Sequence, residues 1–216
     1  HDVHYEQAKY ALDKGLHVMI EKPMVCGAAN AIETAKLAEE KGVHYMITYQ
    51  RHYAPQFIQS RQLIRGGMLG DVKNFYVYMA QDYGPARGNT WRADPKQSGG
   101  GQINDSGSHY QDILLWMTDL LPVSVEGYID PYYHELTTQI EMNGMFRVEL
   151  SNGALGRLII IGDYIGGFSD DVRIKGSKGM LRINGFTGEV STVMEGTKEP
   201  KNIECKAPEG WPNDPS

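Results

Sequence analysis

Helix and strand patterns alternate over the first fifty residues, and few folds have secondary structure in that order. Apolar spacing predicts helices over His4–Lys14 and Ala28–Lys41, each closed by a glycine. Short apolar runs at Leu16–Ile20 and Val43–Tyr49 predict strands buried in a parallel sheet. The order helix, strand, helix, strand is typical of half of a doubly wound α/β domain. The chain contains no GxGxxG phosphate loop, and we expect the other half of this domain to lie outside the sequence.

Extended segments dominate the rest of the chain, after a helix predicted over Pro55–Ile64. These segments are Val72–Met79, Val123–Ile129, Gln139–Leu150, Ala154–Tyr164, Asp171–Lys175, Met180–Asn184 and Glu189–Met194. Asn-Gly pairs and other glycine turns separate them, although we interpret Asn143-Gly144 as a bulge within one strand. The sequence therefore predicts an α/β half domain over residues 1–52. An α+β domain follows over residues 53–216, built as a mostly antiparallel meander with a packed helix and incomplete at its loop-like end, residues 210–216.

The segment Ser98–Asp112 contains most of the candidate functional residues of the second domain. Its glycine run, Gly99–Gly101, permits a backbone path that larger residues forbid. A helix pattern over Ile103–Thr118 follows, and Asp105 and His109 are four residues apart on it, so they share one face and can touch. A carboxylate beside an imidazole suits acid–base chemistry.

Two other interpretations of this pair remain open. An aspartate and a histidine at helical spacing are often only a solvated, hydrogen-bonded pair. Asp105, His109 and Asp112, which lies near the same stripe, are also possible metal ligands. A metal site would need at least one further ligand, and the sequence has no compact motif that supplies it. A metal site is therefore the minor alternative.

Charge and cysteine content narrow the class of protein. A net charge of −6 over 216 residues argues against nucleic acids and anionic membranes as partners. Cys26 and Cys205 form no CxxC motif, so we expect a reducing compartment. The chain has neither an apolar run approaching the ~20 residues of a membrane span nor a signal-peptide pattern. We expect a cytoplasmic protein with no membrane or nucleic-acid partner.

Two further segments carry ligand-binding chemistry. Glu21-Lys22-Pro23 follows the first predicted strand, at the sheet edge where open α/β folds bind ligands. A lysine there can hold a hydroxyl or stabilise an oxyanion, although most lysines are only surface residues. Trp91-Arg92 lies in a loop-like segment, where the arginine suits phosphate and the tryptophan needs a partner. Alternatively, Trp91 only fills the domain junction.

Together these motifs resemble the Gfo/Idh/MocA oxidoreductases, the family of glucose–fructose oxidoreductase and inositol dehydrogenase. In order they are Glu21-Lys22-Pro23, Tyr49-Gln50-Arg51 after the second strand, Trp91-Arg92, and Gly99-Gly100-Gly101 followed by Asp105 and His109. The resemblance runs from His1 to at least Gly188. It implies a Rossmann domain followed by a large open sheet, and a nicotinamide-dependent dehydrogenase of a sugar or polyol. The family's phosphate loop and its closing C-terminal strand and helix have no counterpart in this sequence.

The resemblance also implies a role for each site residue. Lys22, Asp105 and His109 match the family's catalytic trio. His109 would take the proton of the substrate hydroxyl, Asp105 would orient and charge-stabilise His109, and Lys22 would position the hydroxyl. The cofactor, NAD or NADP, would be lined by Glu21, Lys22, Arg51, Trp91 and Arg92.

Two alternatives from other classes remain, a redox-neutral NAD-dependent glycosidase or lyase of the same family and a non-catalytic sugar-sensing homologue. We expect a homo-oligomer formed through the open sheet face, to which an alternation of apolar residues would contribute, namely Ile140, Met142, Met145 and Val148. Residues 1–216 alone are expected to be poorly soluble, or to fold only in the second domain. They are also expected to bind neither NAD nor NADP, because the phosphate loop is not among them.

Overall fold

The computed structural model describes residues 1–129 and 139–206. The helices are α1 His4–Asp13, α2 Ala28–Lys41, α3 Pro55–Arg65, α4 Tyr83–Arg87, α5 Pro95–Ser98, α6 Gln102–Asp105 and α7 Gly107–Thr118, with 3-10 turns at Gln50–Tyr53 and Trp91–Ala93. The strands are β1 Val18–Ile20, β2 Tyr45–Ile47, β3 Val72–Asp82, β4 Pro122–Ile129, β5 Gly144–Leu150, β6 Leu155–Ile161, β7 Asp163–Gly176, β8 Gly179–Ile183, β9 Val190–Met194 and β10 Lys201–Ile203.

The first fifty residues form the predicted helix, strand, helix, strand unit. β1 and β2 pair in parallel, with Met19 opposite Met46. α1 packs on α2 and buries Leu12 and Ala38. Met19 and Met46 are both exposed, so the described residues leave one face of this two-stranded sheet uncovered.

The second part is an eight-stranded sheet with the order β10-β9-β8-β7-β3-β6-β5-β4. Its pairs are antiparallel except for β3 and β6, which run parallel. The predicted mixed architecture with a mostly antiparallel sheet is confirmed. The sheet is not a simple meander, because β3 inserts between β7 and β6.

The main hydrophobic core lies between one face of this sheet and the helices α3 and α7. Phe57 on α3 and Ile113 and Met117 on α7 are fully buried there, packed on β3 side chains such as Phe75 and Val77. Apolar spacing of three and four residues on α7 produces this buried stripe. The β3 residues that alternate with Phe75 and Val77 point to the opposite face of the sheet.

The strand predicted over Gln139–Leu150 is shorter and begins at Gly144. Residues 139–143 turn instead towards the glycine run, where the Glu141 carbonyl accepts a hydrogen bond from the Gln102 amide at 3.0 Å. The prediction of one long strand was wrong because this backbone pairs with the start of α6 and not with a neighbouring strand.

The apolar alternation predicted for this strand is also wrong. Ile140 and Met142 are buried with Tyr83 in a small cluster of their own. Met145 and Val148 lie on opposite faces of β5, 54% and 8% exposed. Only Met145 therefore contributes to the open face, since neighbouring residues of a strand point to opposite sides.

Some other predicted segments are divided differently in the structure. The helix over Ile103–Thr118 is divided into α6 and α7 at Ser106, which itself keeps helical backbone angles. The segments Ala154–Tyr164 and Asp171–Lys175 are redistributed, because β6 ends before Gly162 and β7 already begins at Asp163. The predicted terminal loop, residues 210–216, lies outside the described residues.

Among residues 1–129 and 139–206, none of the helices has the length and apolar character that a membrane crossing requires.

Candidate active site

Lys22 connects the parallel sheet unit to the helix that follows the glycine run. It stands just beyond the end of β1, and the bond to Pro23 is cis. Its Nζ donates to the carboxylate of Asp105 and, at 3.1 Å, to the Asp105 carbonyl oxygen. Asp105 ends α6. This ion pair is largely shielded from solvent and joins the two parts of the molecule.

The Asp105 carboxylate also accepts two other hydrogen bonds. Its Oδ2 accepts from Arg92 Nε at 3.1 Å and from the Tyr83 hydroxyl at 3.2 Å. Burial raises the pKa of Asp105, but the charges of Lys22 and Arg92 outweigh burial and hold that pKa below its usual value. Burial and the nearby carboxylate raise the pKa of Tyr83, so its hydroxyl remains a donor. The ionised carboxylate of Asp105 therefore accepts hydrogen bonds from three side chains.

His109 lies on the first turn of α7 and is only 9% exposed. Its ring meets that of Tyr49 edge-on at 5.7 Å. Its Nδ1 is buried and has no hydrogen-bond partner among the described residues. Burial lowers the pKa of His109 to about 3; the positive charges of Lys22 and Arg51 act in the same direction, and Asp105 opposes them. The site thus contains a buried, neutral imidazole whose Nδ1 lacks a hydrogen-bond partner among the described residues.

The charge of Asp105 acts to raise the pKa of His109, but within the described residues no hydrogen bond joins their side chains. Asp112 points elsewhere, and its Oδ2 lies 2.6 Å from His52 Nε2. The His52 ring stacks on Trp116 at 4.5 Å. Among the described residues, no group of three or more His, Cys, Asp or Glu side chains could hold a metal ion.

The side chains predicted to line the cofactor are distributed around this centre. Glu21 follows β1 and accepts a hydrogen bond from Thr48 Oγ1 at 2.9 Å. Trp91 meets the ring of His1 edge-on at 4.8 Å, and the Arg92 guanidinium lies 4.4 Å above the Trp91 ring. Arg92 thereby connects Trp91 to Asp105. The cofactor role of these residues stays a prediction.

Arg51 is directed into the second domain. Its guanidinium lies 4.4 Å from the centre of the Tyr110 ring, and Nη2 donates to the Tyr110 hydroxyl at 2.9 Å. Nη1 is 3.9 Å from the carboxylate of Asp170 on β7. Sequence reasoning missed Tyr110 and Asp170, because no local pattern marks contacts across 59 and 60 residues.

The glycine run places α6 against residues 139–143. Gly99 and Gly100 have φ angles of 75° and 151°, which side chains disfavour. A Cβ on Gly101 would overlap the Glu141 carbonyl oxygen. The Gly101 amide donates to Glu141 Oε2 at 2.6 Å. Close backbone approach at this point fixes the start of α6 and thereby Asp105.

Two family models match the chain. Residues 57–182 match the GFO/IDH/MocA C-terminal domain. Residues 1–49 match a model of an oxidoreductase family with an NAD-binding Rossmann fold. The NAD-binding description agrees with the cofactor that the sequence motifs predict.

Individual relatives agree with these models. An uncharacterized oxidoreductase of Schizosaccharomyces pombe is 28% identical over 205 residues, which are 91% of this chain and 54% of the relative. A scyllo-inositol 2-dehydrogenase (NADP+) of Bacillus subtilis is 26% identical over 196 residues, 91% of this chain and 53% of the relative. The chain spans about half the length of these curated relatives.

A solved structure shows the same fold. The inositol dehydrogenase homologue of Azotobacter vinelandii, in complex with NAD+, superposes with a TM-score of 0.84 at 21% identity, over 94% of this chain and 54% of that chain. The resemblance predicted from the motifs is confirmed. Because the C-terminal domain model alone covers more than half of the residues, the chain belongs to the GFO/IDH/MocA family of oxidoreductases.

Proposed function

We propose that the intact protein is a nicotinamide-dependent oxidoreductase that transfers hydride between NAD(P) and a hydroxyl or carbonyl carbon of a sugar or polyol. The observation that carries this proposal is the convergence of Lys22, Asp105 and His109, an ion pair beside a buried, neutral imidazole. The names of similar proteins support the substrate class, since they include a scyllo-inositol dehydrogenase, an inositol dehydrogenase homologue with NADH and myo-inositol, and a levoglucosan dehydrogenase with NADH.

The residues present fit the nicotinamide end of the cofactor. Lys22 and Glu21 follow β1 at the carboxyl edge of a parallel sheet, where dinucleotides bind. His109 also leaves a buried polar atom of this site, Nδ1, without a hydrogen-bond partner among the described residues. The sequence has no GxGxxG motif, so residues 1–216 do not include the glycine-rich loop that usually binds the cofactor phosphates. When bound, NAD(P)+ accepts the hydride from the substrate carbon.

In this arrangement His109 accepts the proton of the substrate hydroxyl. The imidazole can do so because burial keeps it neutral. The Lys22 ammonium positions the hydroxyl and stabilises negative charge on its oxygen as the proton leaves. Asp105, held by Arg92 and Tyr83, fixes Lys22 and balances the positive charge that forms on His109.

The direct test is a panel of sugars and polyols offered to the intact protein with NAD+ and with NADP+, followed by nicotinamide absorbance. We expect net reduction of one cofactor with at least one substrate. Turnover without net cofactor reduction would indicate a glycosidase or lyase instead. Sugar binding without any turnover would indicate a sensing homologue. Either result would reject the proposal.

Replacement of the proposed base gives a first prediction. His109→Ala in the intact protein should lower kcat by roughly 10²–10⁴-fold and leave cofactor binding nearly unchanged, because it removes only the proton acceptor. Steady-state kinetics and cofactor titration measure both quantities. His17→Ala is the matched control, since His17 precedes β1 at the opposite end from Lys22. Weakened cofactor binding with normal kcat would show that His109 has another role.

A further inference from the structure

The segment that carries Lys22 connects β1 to α2 and is itself neither helix nor strand. Residues 22–26 form no backbone–backbone hydrogen bond with other described residues. Pro23 has no amide hydrogen, so the residue after Lys22 cannot donate one. The hydrogen bonds of this backbone come instead from side chains, and the elements that carry those side chains decide where Lys22 stands.

Three neighbouring elements supply donors to the carbonyl groups of this segment. Tyr45 on β2 and Asn30 on α2 donate to carbonyls further along it, at 3.4 and 3.0 Å. His4 on α1 acts nearest to Lys22, because its Nδ1 lies 2.8 Å from the Pro23 carbonyl oxygen. A carbonyl oxygen only accepts, so Nδ1 carries the hydrogen and donates it. The His4 bond is the shortest of the three.

The partners of this bond are fixed on both sides. His4 is half-buried and is the first residue of α1, which packs on α2. Pro23 is buried. From the adjoining residue the Lys22 side chain, only 13% exposed, reaches the carboxylate of Asp105 on α6. A long, flexible lysine side chain holds its ammonium in one place only if its own backbone is held.

We propose that His4 is a positioning residue, which holds the Pro23 carbonyl and thereby keeps the Lys22 ammonium between Asp105 and the substrate hydroxyl. This inference rests on the proposed function, because it gives His4 a part in placing the lysine of the same site. His4 acts through the backbone and not on the reacting atoms. A shift of this backbone would move the ammonium away from the oxygen on which negative charge develops.

Kinetics of the intact protein test the effect on the reaction. His4→Ala removes the donor, and we expect kcat to fall about tenfold while KM and cofactor affinity stay within about twofold, because the ammonium acts mainly on charge that develops in the transition state. His4→Leu removes the same donor, fills more of the vacated volume and should behave alike. His4→Asn carries an amide nitrogen bonded to Cγ, as Nδ1 is in histidine, and should restore most of kcat.

Chemical labelling tests the position of Lys22 without any substrate. The intact protein is treated with an N-hydroxysuccinimide ester of acetic acid, and acetylation of each lysine is followed by mass spectrometry. Lys73, which is 59% exposed, is the internal reference. We expect Lys22 to react about threefold faster relative to Lys73 in His4→Ala, because a loosened segment exposes its amine more often. His4→Asn should react at the wild-type rate.

His17→Ala is the matched control. His17 also bonds to backbone within the first fifty residues, since its Nδ1 accepts from the His44 amide at 2.9 Å, but it precedes β1 at the end opposite to Lys22. This variant should leave kcat and the labelling of Lys22 unchanged. A merely structural His4 would lower the melting temperature and change neither quantity in the folded protein. That result, or an Asn variant that restores neither, would overturn the inference.

The two measurements separate this inference from the proposed function. Faster labelling of Lys22 in His4→Ala, in a protein that is inactive on every sugar and polyol, would reject the function and keep the positioning role. An active enzyme in which His4→Ala changes neither kcat nor the labelling of Lys22 would reject the positioning role and keep the function.

Discussion

Burial has different effects on the charges of Asp105 and His109, two of the ionisable side chains in the proposed chemistry. Asp105 remains ionised, because Lys22 and Arg92 compensate the cost of removing its charge from water. His109 loses its proton, because burial and the charge of Lys22 act in the same direction. Two side chains four residues apart therefore differ in charge because of their neighbours: the carboxylate is ionised and the imidazole is neutral.

The pKa of His109 predicts how stability depends on pH. The group has a pKa of about 3 in the fold against 6.5 ordinarily, so between these values the unfolded chain binds more protons than the native one. The free energy of unfolding should therefore decrease as pH falls through this range, by at most about 1.4 kcal/mol per pH unit from this group. Urea denaturation at pH 5 and pH 7 measures the slope. It should be smaller in His109→Gln and unchanged in His17→Gln, which replaces an exposed histidine; equal slopes in both variants would contradict the assignment.

At the scale of single elements, the short helix α6 depends on close backbone contact. Its first amide, Gln102 N, donates to the Glu141 carbonyl, and Glu141 Oε1 accepts from the Asn104 amide at 3.3 Å. Capping by a residue from a distant segment satisfies donors that a four-residue helix cannot satisfy itself. The glycine run is what allows that segment to approach.

Gly101→Ala tests this contact. The added methyl group would overlap the Glu141 backbone, so we expect a loss of about 3 kcal/mol in the free energy of unfolding. Gly15→Ala is the control, because Gly15 has a φ of 72° and no described atom within 4 Å of its Cβ position. It should cost only about 1 kcal/mol, from backbone conformation alone. Chemical denaturation compares the two, and equal losses would mean that the approach of Glu141 is not what requires glycine.

At the scale of the whole molecule, the eight-stranded sheet has one face on which none of the described helices packs. A row of apolar residues crosses this face on four neighbouring strands, in the register Tyr78, Ile159, Met145 and Tyr128. Tyr128 and Met145 are exposed. An apolar row of this kind is typical of an interaction surface, and self-association through this face stays our prediction.

Ile159→Glu places a charge in the middle of that row. If the face joins copies of the protein, this variant should sediment as a smaller species than the wild type at micromolar concentration, because an unpaired charge cannot be buried without a large cost. Ile32→Glu on α2 also replaces an exposed isoleucine and should leave the sedimentation unchanged. A wild-type protein that is monomeric at that concentration would contradict the prediction.

The sequence alone determined the features that depend on local spacing. Helical periodicity predicted α2 from Ala28 to Lys41 with its correct bounds, and the motif order predicted the family. Lys22 was expected at a ligand-binding edge because the end of a parallel strand fixes where the next side chain stands.

Tertiary structure decided what depends on contacts between distant segments. Ile140 and Met142 fit a strand by alternation, yet the Glu141 carbonyl caps α6 and draws this segment out of the sheet. Arg51 follows β2 in the sequence, yet Tyr110 and Asp170, which are remote in the chain, decide where its guanidinium lies. In both cases hydrogen bonds and charges from remote segments compete with local preference. They prevail because a buried polar group without a partner costs more than a change in local backbone or side-chain conformation.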